Sequence, residues 1–456
     1  MGRRPTSIFV CQECGGRSPK WLGRCPDCGA WDGLIEEAQT DFQAGRADAS
    51  RPAEVLDLQR LEDDEQGRTL TGTPVLDRVL GGGLVTGSAL LLAGEPGIGK
   101  STLLLQLADS LAGEGQSVLY VSAEESARQL RMRAERLRCE ASGVRVVAET
   151  SLEPILELLS SKQFSTILVD SVQAIRSLEL TAPPGAISQV RHVANRLVES
   201  CKRAESTIIM VGHITKDGAI AGPKSLEHLV DAVLSFEGDG AAEYRILRAT
   251  KNRFGPTGEV AMFEMHDTGL VPITDPSRVL VSQRREDAPG SAVTSSLQGL
   301  RPLLVEVQAL VHTTNFPAPR RMAVGCDANR LVLLVAVLER FGGLSYADRD
   351  IFVNAVGGLT LREPAADLAI SAALASALLD RPLPSGAVFF GEVGLLGEVR
   401  PVSRIEARLR EAVNLGYRQA ILPASDRPTE IADIEIREVA TLPELLQMIA
   451  GGTPAS

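Results

Sequence analysis

Between residues 69 and 274, short apolar runs alternate with longer stretches of helical period. The runs at 89–93, 118–122, 144–147, 166–169, 207–211 and 232–236 are almost continuously apolar. That pattern predicts strands buried on both faces. Between them, 102–108, 125–138, 153–162 and 187–204 repeat apolar residues at helical spacing. Strand and helix in strict alternation predict an α/β fold, a parallel sheet with helices on both faces. Two later runs, 244–251 and 260–265, flank a Gly/Pro turn and are predicted to extend the sheet in antiparallel fashion.

The flanks have a different texture. Residues 1–35 lack a period and are punctuated by cysteines, and 36–65 are polar and acidic, as a solvated linker would be. Residues 276–296, rich in Arg, Asp, Pro and Ser, are predicted to be a second linker. Beyond them the chain turns apolar again. Strands are predicted at 305–311, 322–325, 351–356 and 388–392, and helices at 331–341, 365–379 and 402–415. In the last helix Ile405, Leu409 and Val413 share one face. The layout is therefore a cysteine module (1–35), a linker (36–65), an α/β core (66–275), a linker (276–296) and an α+β domain (297–456).

Bulk charge restricts the partners. A net charge of −11 repels nucleic acid and anionic membranes in bulk, so contact with DNA requires local basic patches. No run of 18 apolar residues and no secretory leader are visible, so no membrane association is expected and a reducing cytoplasm is. Seven cysteines, three of them scattered (Cys139, Cys201, Cys326), argue against a disulfide framework.

The chemistry enters at Gly94-Glu95-Pro96-Gly97-Ile98-Gly99-Lys100-Ser101, a G-x-x-x-x-G-K-[ST] phosphate loop between a predicted strand and a helix that continues through Thr102. Glycines let backbone N–H groups wrap phosphate oxygens, and the helix directs its positive end at them. The spacing assigns ATP to this loop, with Lys100 on the β- and γ-phosphates and Ser101 on Mg²⁺. Asp170 ends the run 166–170 and is the second Mg²⁺ candidate. Strand 118–122 leads into Glu124 and Glu125. Glu124 is the candidate to orient the attacking water, and the alternative is that both acids only serve the next helix start.

Cys11-x-x-Cys14-Gly and Cys25-x-x-Cys28-Gly are two knuckles whose four thiolates suit a structural Zn²⁺ site. Trp21, Trp31, Lys20, Arg17 and Arg24 surround them, either to stack on bases and bind phosphate or to cover the metal.

Several motifs in order carry a resemblance. The phosphate loop, Ser122-Ala123-Glu124-Glu125-Ser126, Val169-Asp170-Ser171, residues 211–218 (Val-Gly-His-Ile-Thr-Lys-Asp-Gly) and Lys251-Asn252-Arg253-Phe254-Gly255 resemble the RadA/Sms family, as do the cysteine knuckles. The resemblance implies a RecA-like ATPase core, a homo-hexameric ring, single-stranded and branched DNA as partners, and repair of recombination intermediates by branch migration. It further implies recombinase and replication partners and a place at the nucleoid. It makes His213 a γ-phosphate sensor, and Lys251 and Arg253 cations that act in a neighbour's ATP site, where the bland reading is a solvated basic turn. It also makes Arg176, Arg191, Lys216 and Lys224 DNA contacts on two channel loops, where the bland reading is incidental charge.

Residues 353–358, 362–367 and 391–394 resemble the proteolytic domain of Lon, whose serine nucleophile needs a lysine base. The serine position falls on Ala365 and the lysine position near Glu406, and no lysine follows Lys251 anywhere in the chain. Arginine does not deprotonate, so an inactive domain kept for assembly or DNA contact is expected. A nucleotide-switched scaffold with little turnover is the alternative to a motor.

Overall fold

The computed structural model describes residues 7–11, 16–26, 29, 31, 34–38, 67–140, 142–161, 163–213, 224–238, 244–282, 284–285, 287–299, 301–314, 316, 318–424 and 431–451. They divide into two compact units, 1–240 with 245–272, and 241–244 with 273–456.

In the first unit, β1 (Ala89–Gly94) is apolar and buried at every position because parallel strands flank it on both sides. Its odd and even residues enter different cores. Leu90 and Leu92 join Leu104, Tyr120, Leu168 and Phe236, while Leu91 joins Leu119, Val169, Val193 and Met210. The helix α1 (Lys100–Gly113) follows the loop, then β2 (Val118–Ser122), α2 (Ala127–Arg136), β3 (Val144–Ala148), α3 (Leu152–Ser160), β4 (Thr166–Asp170), α4 (Ile187–Ala204) and β5 (Thr207–His213). The sheet is completed by β6 (Ala232–Glu237), β7 (Tyr244–Asn252), β8 (Val260–His266) and β9 (Gly269–Ile273). Its nine strands run in the order β9-β8-β7-β6-β1-β5-β4-β2-β3. From β6 to β3 neighbours are parallel, and β7 turns antiparallel against β6. Parallel strands bring their carboxyl ends to one edge, and that edge positions the site.

Two local expectations are revised by packing. The apolar run of β3 predicts a doubly buried strand, yet β3 lies at the sheet edge and Val146 is exposed. The second helix starts at Ala127 rather than at 125, because Ser126 and Gln129 form a reciprocal capping box.

The segment after β4 is held by one buried side chain. The Gln189 amide nitrogen donates to the carbonyls of Ser177, Leu180 and Ala182 at 3.1, 3.2 and 2.9 Å, and its oxygen accepts from Ser177 N at 3.0 Å. Glu153 adds a second hold, accepting from the Ser177 hydroxyl and from Leu178 N, both at 2.9 Å.

At the amino-terminal end of the chain, strands Ser7–Cys11, Arg17–Ser18 and Leu34–Ala38 form an antiparallel sheet. It therefore runs three residues past the module expected to end at 35, and residues 39–65 of the expected linker lie outside the described residues.

In the second unit β10 (Ser291–Gln298), β11 (Arg301–Thr313), β12 (Arg321–Val324) and β13 (Arg349–Ala355) form a sheet ordered β10-β11-β13-β12. Helix α5 (Ala328–Gly342) lies between β12 and β13 in the chain, and α6 (Asp367–Leu379) is buried at ten consecutive positions. A smaller parallel sheet joins Ala387–Phe389, Gln419–Pro423 and Glu435–Val439. Residues 276–296, whose polar composition predicts a linker, instead carry a helix (Pro276–Val281) capped by Asp275 and the first part of β10. The short polar residues hide the strand: Thr294 is buried with its hydroxyl on the Phe389 carbonyl at 2.9 Å, and the Ser291 hydroxyl donates to Glu306 at 2.7 Å.

Helix α7 (Ile405–Asn414) sends Arg408 fully inside, where Nη1 and Nη2 reach the two Glu363 oxygens at 2.9 and 2.6 Å and Nε donates to Ser403 O at 2.9 Å. Removing one partner strands a buried charge. Arg408→Met is expected to cost about 3 kcal/mol. It should speed amide exchange of α7 and β10 roughly 100-fold in the full-length chain, and replacing Glu363 by Leu as well should recover most of the loss.

Candidate functional site

Gly94 ends β1, and a Cβ there would lie 2.7 Å from the Phe236 carbonyl, so only glycine allows β6 to pack this close. Gly97 and Gly99 turn the loop with φ of 79° and 114° and set Lys100 at the start of α1. Lys100 is 4% exposed. Its ammonium donates to the carbonyls of Gly94 and Glu95, both at 2.8 Å. Burial lowers its pKa to about 8, against the opposing pull of Asp170, Glu124 and Glu95. A buried cation beside three acids is the electrostatic setting that a polyphosphate and a divalent cation complete.

Asp170 stands at the carboxyl end of β4, 6% exposed, and its Oδ2 accepts from the Tyr120 hydroxyl at 2.8 Å. Burial, and then Asp170, raises the Tyr120 pKa, so the phenol keeps its proton. Next to Asp170, the Ser171 hydroxyl donates to Glu124 Oε1. His213 ends β5 in register with Gly94, and its Nε2 lies 3.1 Å from the same Glu124 oxygen. Hydrogen bonding by His213, joined by Ser171 and Lys100 and opposed by burial, lowers the Glu124 pKa to about 2. Glu124 is thus an ionised carboxylate at any physiological pH, with Oε1 occupied by two groups.

The two adjacent acids separate by their partners. Glu125 is held by Arg133 at 2.6 Å, and its carbonyl accepts from the Ser122 hydroxyl at 2.6 Å. It precedes the helix cap instead of starting the helix. Only Glu124 faces Lys100, Asp170 and His213. Ser171 was no sequence candidate, although it follows Asp170 directly. Nor was Tyr120, whose apolar neighbours make it read as core.

Lys251 and Arg253 are elsewhere. Lys251 pairs with Val233, and Val233 with Leu91, three residues before Gly94. The pair therefore lies roughly 10 Å along the sheet from the phosphate loop and two strands aside. There Lys251 Nζ donates to the carbonyls of Glu227 and Val230 at 2.5 and 2.8 Å, and burial, then Arg253, lowers its pKa. Arg253 is 58% exposed along its side chain and meets Asp231 at 3.2 Å. Asn252 donates to the carbonyls of Val79 and Leu80, and Gly255 packs so near Gly81 that a Cβ would come within 2.9 Å of its Cα.

Arg176 and Arg191 are exposed, on the segment after β4 and on α4. Lys224 opens a short helix (Lys224–Glu227), its side chain outside the described residues, as is Lys216 altogether. Cys11 and Cys25, one from each knuckle, are buried in one cluster with Leu34, packed by Phe9 and Leu22. Two thiols from separate knuckles converging on one core fit a shared structural metal, and Cys14 and Cys28 lie outside the described residues. No helix among the described residues is long and apolar enough to cross a membrane.

Three family models match the chain: an AAA domain over 52–219, a rubredoxin metal binding domain over 9–36 and subunit ChlI of Mg-chelatase over 332–426. A DNA repair protein RadA of Bacillus subtilis is 45% identical over 98% of this chain and 99% of its own length. That of Aquifex aeolicus is 46% identical over 98% of this chain and 100% of its own. The chain belongs to the RadA family of DNA repair proteins. It has the RecA-like phosphate-loop ATPase core of that family, an amino-terminal zinc ribbon and a ChlI/Lon-like carboxyl-terminal region. A KaiC-like protein of Pyrococcus horikoshii also aligns, at 21% identity and a TM-score of 0.39, covering 45% of this chain and 99% of that one.

The depressed Lys100 pKa yields a signed expectation. Between about 8 and the usual lysine range the unfolded chain holds a proton that the folded chain has released, so folding stability rises with pH across that window. Nucleotide binding has the opposite sign, because a triphosphate restores the ammonium. Calorimetry of ATP binding above pH about 8, in two buffers of different ionisation enthalpy, should therefore register proton uptake approaching one per site. Absence of uptake would contradict the assignment of Lys100 to the phosphates.

Proposed function

We propose that this chain is a DNA-dependent ATPase motor that acts on recombination intermediates and drives branch migration as a homo-hexameric ring on single-stranded DNA. The observation that carries the reading is the Glu124 carboxylate, held at Oε1 by Ser171 and His213 and set beside Lys100 and Asp170. With Oε1 occupied, Oε2 is the oxygen that receives a water.

Lys100 draws the β- and γ-phosphates of ATP into the loop of Gly94–Ser101 and Thr102. Ser101 and Asp170 would hold Mg²⁺, which would supply positive charge to the phosphates when bound. Glu124 Oε2 accepts a hydrogen bond from water and aims its oxygen at the γ-phosphorus. That oxygen bonds to phosphorus as the bond to the β-phosphate oxygen breaks and ADP leaves. A carboxyl group with a pKa of about 2 is too weak a base to keep the water's proton, which ends on the released phosphate. His213, already against Glu124, is the proposed sensor of the γ-phosphate.

Lys251 and Arg253 lie at the far edge of their own sheet, and in a ring that edge faces the next protomer's nucleotide. A cation delivered there stabilises the transferring phosphoryl group and makes hydrolysis depend on the neighbour. Arg176, Arg191, Lys216 and Lys224 are the proposed DNA contacts of the channel, and a salt-dependent affinity is expected of them. Peptidase chemistry has no support: Ala365 is buried, Glu406 pairs with Arg410 at 3.6 Å, and Arg408 is committed to Glu363.

Single-stranded DNA should stimulate ATP hydrolysis by the intact protein. Glu124→Gln should lower turnover at least 100-fold with ATP binding retained. Lys251→Ala and Arg253→Ala should retain ATP binding and lose the stimulation. Mixing Glu124→Gln with Arg253→Ala protomers should restore part of the activity, since some interfaces then pair an intact glutamate with an intact arginine. Turnover unchanged in Glu124→Gln, or mixtures no better than their components, would refute the arrangement.

A further inference from the structure

The chain has two tryptophans, and both stand on the zinc module. A ring whose task was to cover the metal core would be buried there, as the packing of Phe9 and Leu22 against Cys11, Cys25 and Leu34 shows. Trp21 and Trp31 are instead 56% and 73% exposed. Exposed indoles are costly to leave in water without a partner, and each offers two flat faces.

The cations beside them are held in place. Arg24 Nε donates to the Gly29 carbonyl at 2.9 Å, and its guanidinium carbon lies 5.7 Å from the Trp31 ring centroid. Residues 24 and 31 also form an antiparallel bridge. Next to Trp21, the backbone of exposed Lys20 is fixed by Ser18, whose hydroxyl donates to Lys20 O at 2.6 Å and accepts from Lys20 N at 3.4 Å. One held guanidinium beside Trp31, and Lys20 next to Trp21 in the chain, thus accompany two exposed indoles of the same small module on a chain of net charge −11.

We propose that Lys20, Trp21, Arg24 and Trp31 form a stacking site for single-stranded DNA, separate from the ATPase channel. Bases stack on the indoles, and the two cations take the flanking phosphates. A duplex keeps its base faces against one another, so the surface selects the single strand. The inference rests on the reading of DNA as the partner and adds a second contact to it.

Because the chain has only these two tryptophans, their fluorescence in the full-length protein reports on this surface alone. Titration with oligo-dT should quench it. An oligonucleotide carrying 5-bromodeoxyuridine should crosslink on irradiation to peptides containing Trp21 or Trp31. Trp31→Ala should weaken binding of a short oligonucleotide ~10-fold, and Trp31→Phe, which keeps a ring, should restore most of it. Both variants should retain the zinc content of the parent, which separates loss of the ring from loss of the module. Unchanged fluorescence with crosslinks confined to residues 176–227, in protein whose ATPase is still stimulated by DNA, would overturn this proposal and leave the motor reading standing. Absence of stimulation and of quenching together would overturn both.

Discussion

One carboxylate oxygen joins the ends of three chain segments in the ATPase unit. Glu124 follows β2, Ser171 follows β4 and His213 ends β5, and both donors come to Oε1 of Glu124. Nothing local brings them together, since they are 47 and 89 residues from Glu124 in sequence. The parallel sheet does it, by placing Ser122 opposite Asp170 and His213 opposite Gly94. A shift of one residue in any of these registers would turn every side chain to the other face and separate the group.

The same sheet divides its charges between its edges. Acids, the phosphate loop and Lys100 occupy the carboxyl edge. At the amino edge, buried Asp231 accepts from Ala89 N at 3.0 Å and meets Lys202 and Arg253. The reversal of direction at β7 is what carries Lys251 and Arg253 to that second edge, two strands from β1 and away from its loop. Asp231 thereby anchors both the strand that begins the nucleotide site and the exposed Arg253. Within the carboxyl-terminal unit the charges are used differently: Arg408 with Glu363, and Arg330 with Asp367, are internal struts with their carboxylates already saturated.

The buried strands were legible because a strand covered on both faces has to be apolar at consecutive positions, and β1, β2 and β4 are. The phosphate loop was legible because its glycines answer to backbone geometry within eight residues. Edge strand β3 reads the same as its neighbours and differs only in having nothing on one side, which a run of valines does not record. Strand β10 was hidden by Thr294, Ser295 and Ser296, hydroxyl residues that are buried here and that in most contexts mark a loop. Glu124 was the candidate from the chain alone, but the Arg133 contact that holds Glu125 apart, and the contact of Ser171 with a partner from another strand, were not legible there. Such pairings are decided by tertiary distance, and spacing along the chain carries no trace of them.

Gln189 gives the segment behind β4 an uncommon mechanical character. Four backbone groups close on one immobile amide, and Leu178, 74% exposed, projects from the result. A slack tether would dissipate a small movement of Ser171 within its own torsions. A braced one behaves as a rigid arm, so a sub-ångström rotation at the strand end is delivered, enlarged by the arm's length, to whatever Leu178 touches.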